Sequence, residues 1–472
     1  MTTLMSFRGK ISRAPYLLWS LAVFFSQYIL AAFVVAILQH PLHQEEWSLW
    51  VPISLPSQRE LPDAWLWAAP LQQVAHLSNV PDWVALIAFA GLLLASWALA
   101  ALAFRRSTDA AVNSWIAAVA IIPLFQIPVI AVLGFLPSRD EDAARIETED
   151  QIPNRAILAA MQGVLAGVAL TLFGVAVSTL VFGVYGYGLF VATPLLAGAL
   201  SGFFANRDGD IGSRHTNKVV FRSSALGGLT LIMVALEGVV CLVMAAPLGL
   251  AAAVIGGQIG RRIAGRGQRS MKHSLMSVAL LPLLFAGEQA MPTLSALDTE
   301  QSVEVNASPL LVWQALLHMD NINSIPALPF RLGVAYPLSA EIIGTGIGAT
   351  RRGVFSTGVA TERITEWIPD RKLAFVVLSN PPAMHELSPY KTVHAPHVKG
   401  YFNTLSTSFE LVALPGGRTR IIERTSHQLK LDPIFYWMPM ARLVVGENNA
   451  RVLAYLRDRA EGFKAGVPIP SQ

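Results

Sequence analysis

Arg261-Arg262-Ile263-Ala264-Gly265-Arg266-Gly267-Gln268-Arg269-Ser270-Met271-Lys272-His273 places five cations within thirteen residues. One further apolar segment, Leu275 to Gly287, follows it, and from there to Gln472 nothing resembles a membrane span. The stretch therefore separates an oily first part from a last part of mixed composition. It predicts helices in lipid before it and a pocket-forming domain after it. Basic residues gather on the cytoplasmic side of a bilayer, so the final span is expected to start inside and deliver the last part outside.

Composition agrees with that division. Of the 472 residues, 53% are hydrophobic and 14% charged, and the mean hydropathy is +0.48. A soluble domain carries about 25% charged residues, so a polytopic membrane protein is expected. Upstream of residue 291, several stretches run for roughly 20 residues without a charge, the length that crosses a hydrocarbon core about 30 Å thick. The net charge of +4 and pI of 9.2 do not point to nucleic acid, because most of the basic residues before 291 sit in short loops beside apolar spans, where they orient helices. The single cysteine, Cys241, allows no intrachain disulfide and no thiol-based metal site. The first apolar run, Tyr16 to Leu38, is too long for a cleavable signal and reads as a retained span.

Backbone polar groups in lipid must be satisfied internally, so these runs should be helices. Arg8, Lys10 and Arg13 precede the first span, whereas the loop from Gln39 to Asp82 has Arg59 as its only basic residue; the N-terminus is expected in the cytoplasm. Trp83 to Phe104 then returns to Arg105 and Arg106. Trp115 to Leu136 contains Pro123 and Pro128 and either crosses or follows a bent, re-entrant path. Ala156 to Ala205 divides at the GVYGYG turn around Tyr185 and Tyr187, and Leu226 to Gly260 holds two crossings if it breaks near Pro247. The expected total is seven full spans and one irregular segment. Residues 1–140 form a first membrane domain, 141–155 a charged linker, 156–291 a second transmembrane region and 300–465 the final domain.

Phe7-Arg8-Gly9-Lys10-Ile11-Ser12-Arg13, running into an aromatic span, and Arg105-Arg106-Ser107-Thr108-Asp109 followed by Asn113-Ser114-Trp115 resemble the two signatures of the YhaH-like bacterial inner-membrane family of unknown function. Ser107 and Thr108 stand where that family usually has Leu-His. The resemblance implies an inner-membrane location and no established chemistry. Arg105 and Arg106 read either as topology anchors or as contacts to anionic lipid headgroups, with Asp109 in pairing range one helical turn away. Glu237, in the middle of an apolar span, reads as an interhelical hydrogen-bonding group or as a proton- or ion-handling one. The pairs Gly163/Gly167, Gly198/Gly202 and Gly256/Gly260 have the spacing of close helix packing.

Beyond Ser302 the period changes. Val303 and Val305 alternate with polar residues, and Asn306-Ala307-Ser308-Pro309 opens a helix with Val312, Trp313, Leu316 and Leu317 on one stripe. Strands are expected at Glu341–Ile343, Thr350–Thr357, Ala360–Trp367 and Lys372–Leu378. Thr404–Leu414 and Arg418–Gln428 form a hairpin through Pro415-Gly416-Gly417. A long helix over Met440–Phe463 closes the chain. Strand, short helix, antiparallel strands and a long terminal helix describe a curved sheet gripping a helix.

The motifs Val305-Asn306-Ala307-Ser308-Pro309 with Trp313, Gly353-Val354-Phe355, Glu362-Arg363-Ile364-Thr365-Glu366-Trp367, Leu373-Ala374-Phe375 and Pro433-Ile434-Phe435-Tyr436-Trp437 resemble the START and polyketide-cyclase superfamily, SRPBCC or helix-grip. That resemblance implies an α+β domain with a cavity for lipid-like molecules. The candidate lining is Trp313, Phe355, Trp367, Phe375, Phe409, Tyr436 and Trp437, with Arg420 or Glu423 as polar handles; each also fits an ordinary core.

The segment Ala383 to Lys399 collects His385, Glu386, His394 and His397, yet lacks the H-E-x-x-H spacing of a zinc site. It reads better as a loop gating the cavity. With no nucleophile elbow, P-loop or dinucleotide fingerprint, no catalysis, cofactor or metal is expected. The expected protein is a multi-pass bacterial inner-membrane protein, in contact with membrane lipids, whose periplasmic helix-grip domain binds a hydrophobic small molecule or lipid. The alternative is a transporter or enzyme that moves protons through Glu237 or the His385/Glu386 loop.

Overall fold

A computed structural model describes residues 4–38, 82–138, 155–234, 236–265, 279–388 and 396–468. Most of the expected loop after the first span, residues 141–154 of the linker, the basic run from Arg266 to His273, and His394 lie outside the described residues. The chain divides into two compact units, the first reaching Ala290 and the second beginning at Met291.

In the first unit, α1 (Arg13–Leu38) and α2 (Asp82–Asp109) are long apolar helices. The irregular segment after them forms two short helices, α3 (Ile116–Val119) and α4 (Pro123–Phe135), broken just before Pro123. Arg106 is fully buried in this unit. Its Nε donates to the Leu133 carbonyl at 3.0 Å, and its guanidinium also reaches the Leu136 carbonyl, Asp109 and Ser138. Arg13 Nε donates to the Gly134 carbonyl at 2.8 Å. Two arginines thus occupy the carbonyls that the end of α4 cannot pair internally. Arg106 faces protein, which removes it from the headgroup-contact reading.

The remaining helices are α5 (Arg155–Ala176), α6 (Thr193–Asn206), α7 (Ser213–Met233), α8 (Val239–Ala264) and α9 (Leu281–Ala290). The expected division at Tyr185 is present: α5 runs into a π-helical turn, the chain opens at Gly183, and a second π turn at Gly188–Ala192 leads into α6. The break expected near Pro247 falls elsewhere. It lies between Met233 and Val239, where Gly238 is extended and Glu237 interrupts the apolar run, while Pro247 sits inside an unbroken α8. Neighbouring helices make an interior proline tolerable in such bundles.

Among the described residues, three helical stretches are long and apolar enough to cross a membrane: Ala156–Thr179, Gly188–Asn206 and Val239–Ala264. At 1.5 Å per residue, the ten residues of α9 extend about 15 Å, and the upstream part of that expected span lies outside the described residues. Small residues bring α6 and α8 into backbone contact. A Cβ on Gly198 would lie 1.9 Å from the Ala253 carbonyl oxygen, and one on Gly256 would lie 1.9 Å from that of Leu195. The glycine pairs are therefore packing devices.

The second unit is a seven-stranded antiparallel sheet in the order β1-β7-β6-β5-β4-β3-β2. Its strands are β1 (Ser295–Val305), β2 (Pro337–Ile343), β3 (Thr350–Phe355), β4 (Gly358–Ile368), β5 (Lys372–Ser379), β6 (Phe402–Leu414) and β7 (Arg418–Leu429). Gly416 and Gly417 have φ of 80° and 69°. This left-handed backbone is one that glycine adopts without steric cost, and it closes the β6–β7 hairpin. Helix α10 (Pro309–Leu317) follows β1, and α11 (Leu328–Arg331) lies between α10 and β2. The closing helix α12 spans Ile434–Lys464, beginning earlier than its expected Met440 and running through Pro439.

Helices α10 and α12 pack on one face of the sheet. Val305, Trp313, Leu316, Leu411, Ile421, Leu456 and Phe463 are buried in a single cluster there. The opposite face is solvated: Arg418, Arg420, Arg424, Glu300, Glu304 and Glu410 form exposed ion pairs across β1, β7 and β6. Exposed pairs of this kind contribute little to stability, but they keep a wide sheet face polar and soluble.

Candidate ligand site

Successive side chains on a strand point to opposite faces, and β7 shows this period without interruption. Thr419, Ile421, Glu423, Thr425, His427 and Leu429 are all buried, whereas Arg418, Arg420 and Arg424 are exposed. Antiparallel register aligns the inward residues into rows. Gln301 lies opposite Glu423, which lies opposite Phe409, then Leu373 and Trp367. The next row is Thr299, Thr425, Thr407, Phe375 and Ile364. A third contains Leu297, His427 and Thr404.

The first two rows and the third differ in character from the core at Val305 and Ile421, because a polar belt crosses them. Thr299 Oγ1 and Thr425 Oγ1 are 2.6 Å apart. Asn449 on α12 donates to them at 3.0 and 3.3 Å. His427 Nε2 lies 2.8 Å from Thr425 Oγ1, and its Nδ1 lies 3.1 Å from Thr404 Oγ1. Gln301 donates to the Gly446 carbonyl at 3.1 Å. The chain ties β6, β7 and β1 to α12. Burial lowers the His427 imidazole to about 4, with Asp298 pulling the other way, so His427 is neutral at physiological pH.

The charged part of the interior centres on Arg351. Its guanidinium pairs with Glu362 on the neighbouring strand, lies 4.3 Å from the centroid of the Phe375 ring, and reaches Met319 Sδ at 3.5 Å. Burial pushes the Glu362 carboxyl up and Arg351 pulls it back. Glu423 is fully buried, and burial raises its carboxyl to about 8, opposed by Arg351. Among the described residues, Glu423 Oε2 and Arg351 Nε have no hydrogen-bond partner. At neutral pH the protonated form of Glu423 is favoured, which makes this group a hydrogen-bond donor.

Of the residues singled out by sequence, Trp313, Trp367, Phe375 and Phe409 come together. Trp313 stands edge-on to Trp367 at 5.4 Å, and the Phe375 and Phe409 rings are 6.5 Å apart. Phe355 is half-buried at the end of β3. Tyr436 and Trp437 pack edge-to-face at 5.2 Å in the first turn of α12, with Trp437 buried. Arg420 needs correction. It faces outward and pairs with Glu304 at 2.8 Å, because its even position on β7 is opposite in parity to Glu423. Of the two, Glu423 is the one that faces inward.

Sequence reasoning overlooked Gln301, Arg351, Thr425, His427 and Asn449. The alternation along β7 points to Thr425 and His427, which share parity with Ile421. In the His385 segment, His397 Nε2 lies 3.1 Å from Glu386 Oε1, both buried, while His385 donates its backbone N–H to the Gly333 carbonyl at 2.8 Å. In the first unit, Tyr185 donates its hydroxyl to Glu237 Oε1 at 3.0 Å, and Glu288 Oε1 accepts from the Gly188 N–H at 2.8 Å.

A curved antiparallel sheet with a helix after its first strand and a long C-terminal helix lying across its inner face defines the helix-grip class. That assignment rests on strand order and register. Residues 4–144 match the family described as "Protein of unknown function (DUF805)", in agreement with the membrane family that the N-terminal signatures resemble. The C-terminal part is similar to the Zhui aromatase/cyclase from Streptomyces sp. R1128, at 19% identity over 37% of this chain and 100% of that one, with a TM-score of 0.25. It is also similar to the Aha1 dimer from Colwellia psychrerythraea, at 19% identity over 35% and 96% of the two chains, with a TM-score of 0.21. For truncated norcoclaurine synthase from Thalictrum flavum the values are 15%, 37%, 98% and 0.24. No curated protein matches the chain.

Proposed function

We propose that the C-terminal unit is a non-catalytic binding module that holds a small apolar molecule or lipid between its sheet and α12, and that the N-terminal helices tether it to the bacterial inner membrane. The observation that carries this reading is the interior itself. Aromatic and aliphatic side chains surround a short polar belt, and Glu423 offers a buried carboxyl oxygen without a partner among the described residues. Ligand sites combine an apolar lining with a few placed polar groups in this way. Arg8 and Lys10 ahead of α1 and Arg13 at its first position support a cytoplasmic N-terminus, and the basic run before α9 supports a periplasmic C-terminal unit.

The test is extraction and mass spectrometry of the full chain reconstituted in nanodiscs of one synthetic lipid. Recovery of a distinct apolar compound at about one per chain is expected. Recovery of the synthetic lipid alone would overturn the reading.

A second reading draws on a different observation. Two carboxyl groups meet the break around the second π turn: Glu237 through Tyr185 in the non-helical segment, and Glu288 through the N–H of Gly188, which opens that turn. Broken helices with buried acids are a recurrent construction in ion-coupled transporters. Loss of substrate flux in Glu237→Gln with folding intact would favour it over a purely structural role.

A further inference from the structure

Glu423 marks the point at which the interior departs from a self-sufficient core. Neighbouring polar side chains of the belt have partners: Arg351 pairs with Glu362, Gln301 donates to the Gly446 carbonyl, and Asn449 and His427 bond the threonines around them. Glu423 Oε2 and Arg351 Nε have none among the described residues. Buried polar atoms without partners are rare and call for a guest or an ordered water.

Both atoms seek the same thing. Arg351 Nε–H is a donor only. Glu423 is enclosed by Phe409, Leu373 and Ile421 along its row and strand, and the cation that acts on it, Arg351, is already paired with Glu362. A carboxyl in those surroundings retains its proton and donates it. The interior therefore presents two unused donors. An anionic guest would add charge beside Glu362, and a cationic guest would have to be desolvated and would also have to ionise Glu423.

We propose that the guest is a neutral molecule whose carbonyl or hydroxyl oxygen accepts a hydrogen bond from the Glu423 carboxyl, while its hydrocarbon part lies along the Phe409, Leu373 and Phe375 side of the sheet. This rests on the ligand-binding reading above and specifies the chemistry of the group recognised.

Four matched probes separate the possibilities: undecane, methyl nonyl ketone labelled at the carbonyl, undecylammonium and undecanoate. Each is titrated into the full chain in nanodiscs, with protein-free discs as the partition background. The ketone is expected to bind saturably, more tightly than the other three, and its carbonyl infrared band should shift to lower frequency relative to lipid-dissolved ketone. Glu423→Leu should remove the shifted band and weaken the ketone about tenfold without weakening undecane. Glu423→Gln, whose amide still donates, should retain a shifted band.

Tighter binding of undecylammonium or undecanoate would overturn the assignment. An unchanged ketone-to-undecane ratio in Glu423→Leu would also overturn it and would identify the missing partner as water. If none of the four probes binds saturably, the ligand-binding reading itself fails.

Discussion

Arg351 on β3 and Glu362 on β4 stand opposite each other in the antiparallel ladder and form an ion pair buried on the inner face of the sheet. Such a pair specifies an arrangement more than it stabilises one, because desolvation offsets much of the attraction. Glu362→Leu leaves Arg351 buried and uncompensated, and is expected to cost about 3–5 kcal/mol. The double variant Arg351→Met, Glu362→Leu should recover most of that loss. Thermal melting of the single and double variants checks both. A double variant as unstable as the single one would mean that the pair contributes far more than its two halves suggest.

Glu423 and His427 predict opposing pH dependences. The folded carboxyl titrates near 8 against 4.5 for the free group. Across that window the folded state keeps a proton that the unfolded state has lost, and stability falls as pH rises. His427 titrates near 4 against 6.5, so the unfolded state binds the extra proton and stability rises through that window. The two slopes oppose each other up to about 6.5, and Glu423 acts alone from there to about 8. Arg351 on β3, itself paired with Glu362, is the charge that acts on Glu423, and Asp298 on the outer face of β1 is the charge that acts on His427. Wild type should lose stability between pH 6.5 and 8, whereas Glu423→Gln should climb to about 6.5 and then level off. Melting curves across this range that keep the same decline in the variant would assign the titration to another group.

Close approach of α6 and α8 predicts intolerance of a single methyl group. Gly256→Ala would place a Cβ 1.9 Å from the Leu195 carbonyl oxygen, whereas at Gly228 on α7 the nearest atom would be 3.9 Å away. Gly256→Ala is expected to destabilise the first unit by about 1–3 kcal/mol through overpacking. Gly228→Ala should be neutral or slightly stabilising, since alanine is the better helix former. Melting temperatures in detergent decide the matter, and equal values for the two variants would remove the close-packing account.

The basic run before α9 predicts where the second unit resides. An alkaline phosphatase reporter fused after Gln472 should be active, and a fluorescent-protein fusion at the same site should stay dark. The reverse pattern would place the helix-grip unit in the cytoplasm and would require the span count to be revised.

Much of this architecture was legible from local pattern. Strand positions from Thr350 onward followed from alternation, the β6–β7 hairpin from Pro415-Gly416-Gly417, and the helix break at Gly183 from its glycines. The break before α8 was misplaced at Pro247, because proline marks a helix end only where no neighbouring helix compensates for the missing N–H. Composition offers Arg420 and Glu423 alike as polar handles, although parity separates them: Ile421 is plainly a core residue, and Glu423 shares its face. The surroundings of Glu423 were not legible in the same way. Gln301 and Arg351 lie far from it in sequence and meet it only through the order in which the strands assemble.

Sequence by itself determined the partition of this chain between lipid-compatible helices and an α+β domain, since apolar run length and residue period are local quantities that each segment carries with it. Tertiary structure decided which polar groups share an interior. Bulges between Ile364 and Glu366 on β4 and between Thr404 and Ser406 on β6 shift the alternation by one residue, which returns Trp367 and Thr407 to the inner face. Such shifts and the β1-β7-β6 strand order are set by packing across the whole sheet, which no single segment encodes, and they place Gln301, Glu423 and Phe409 in one row.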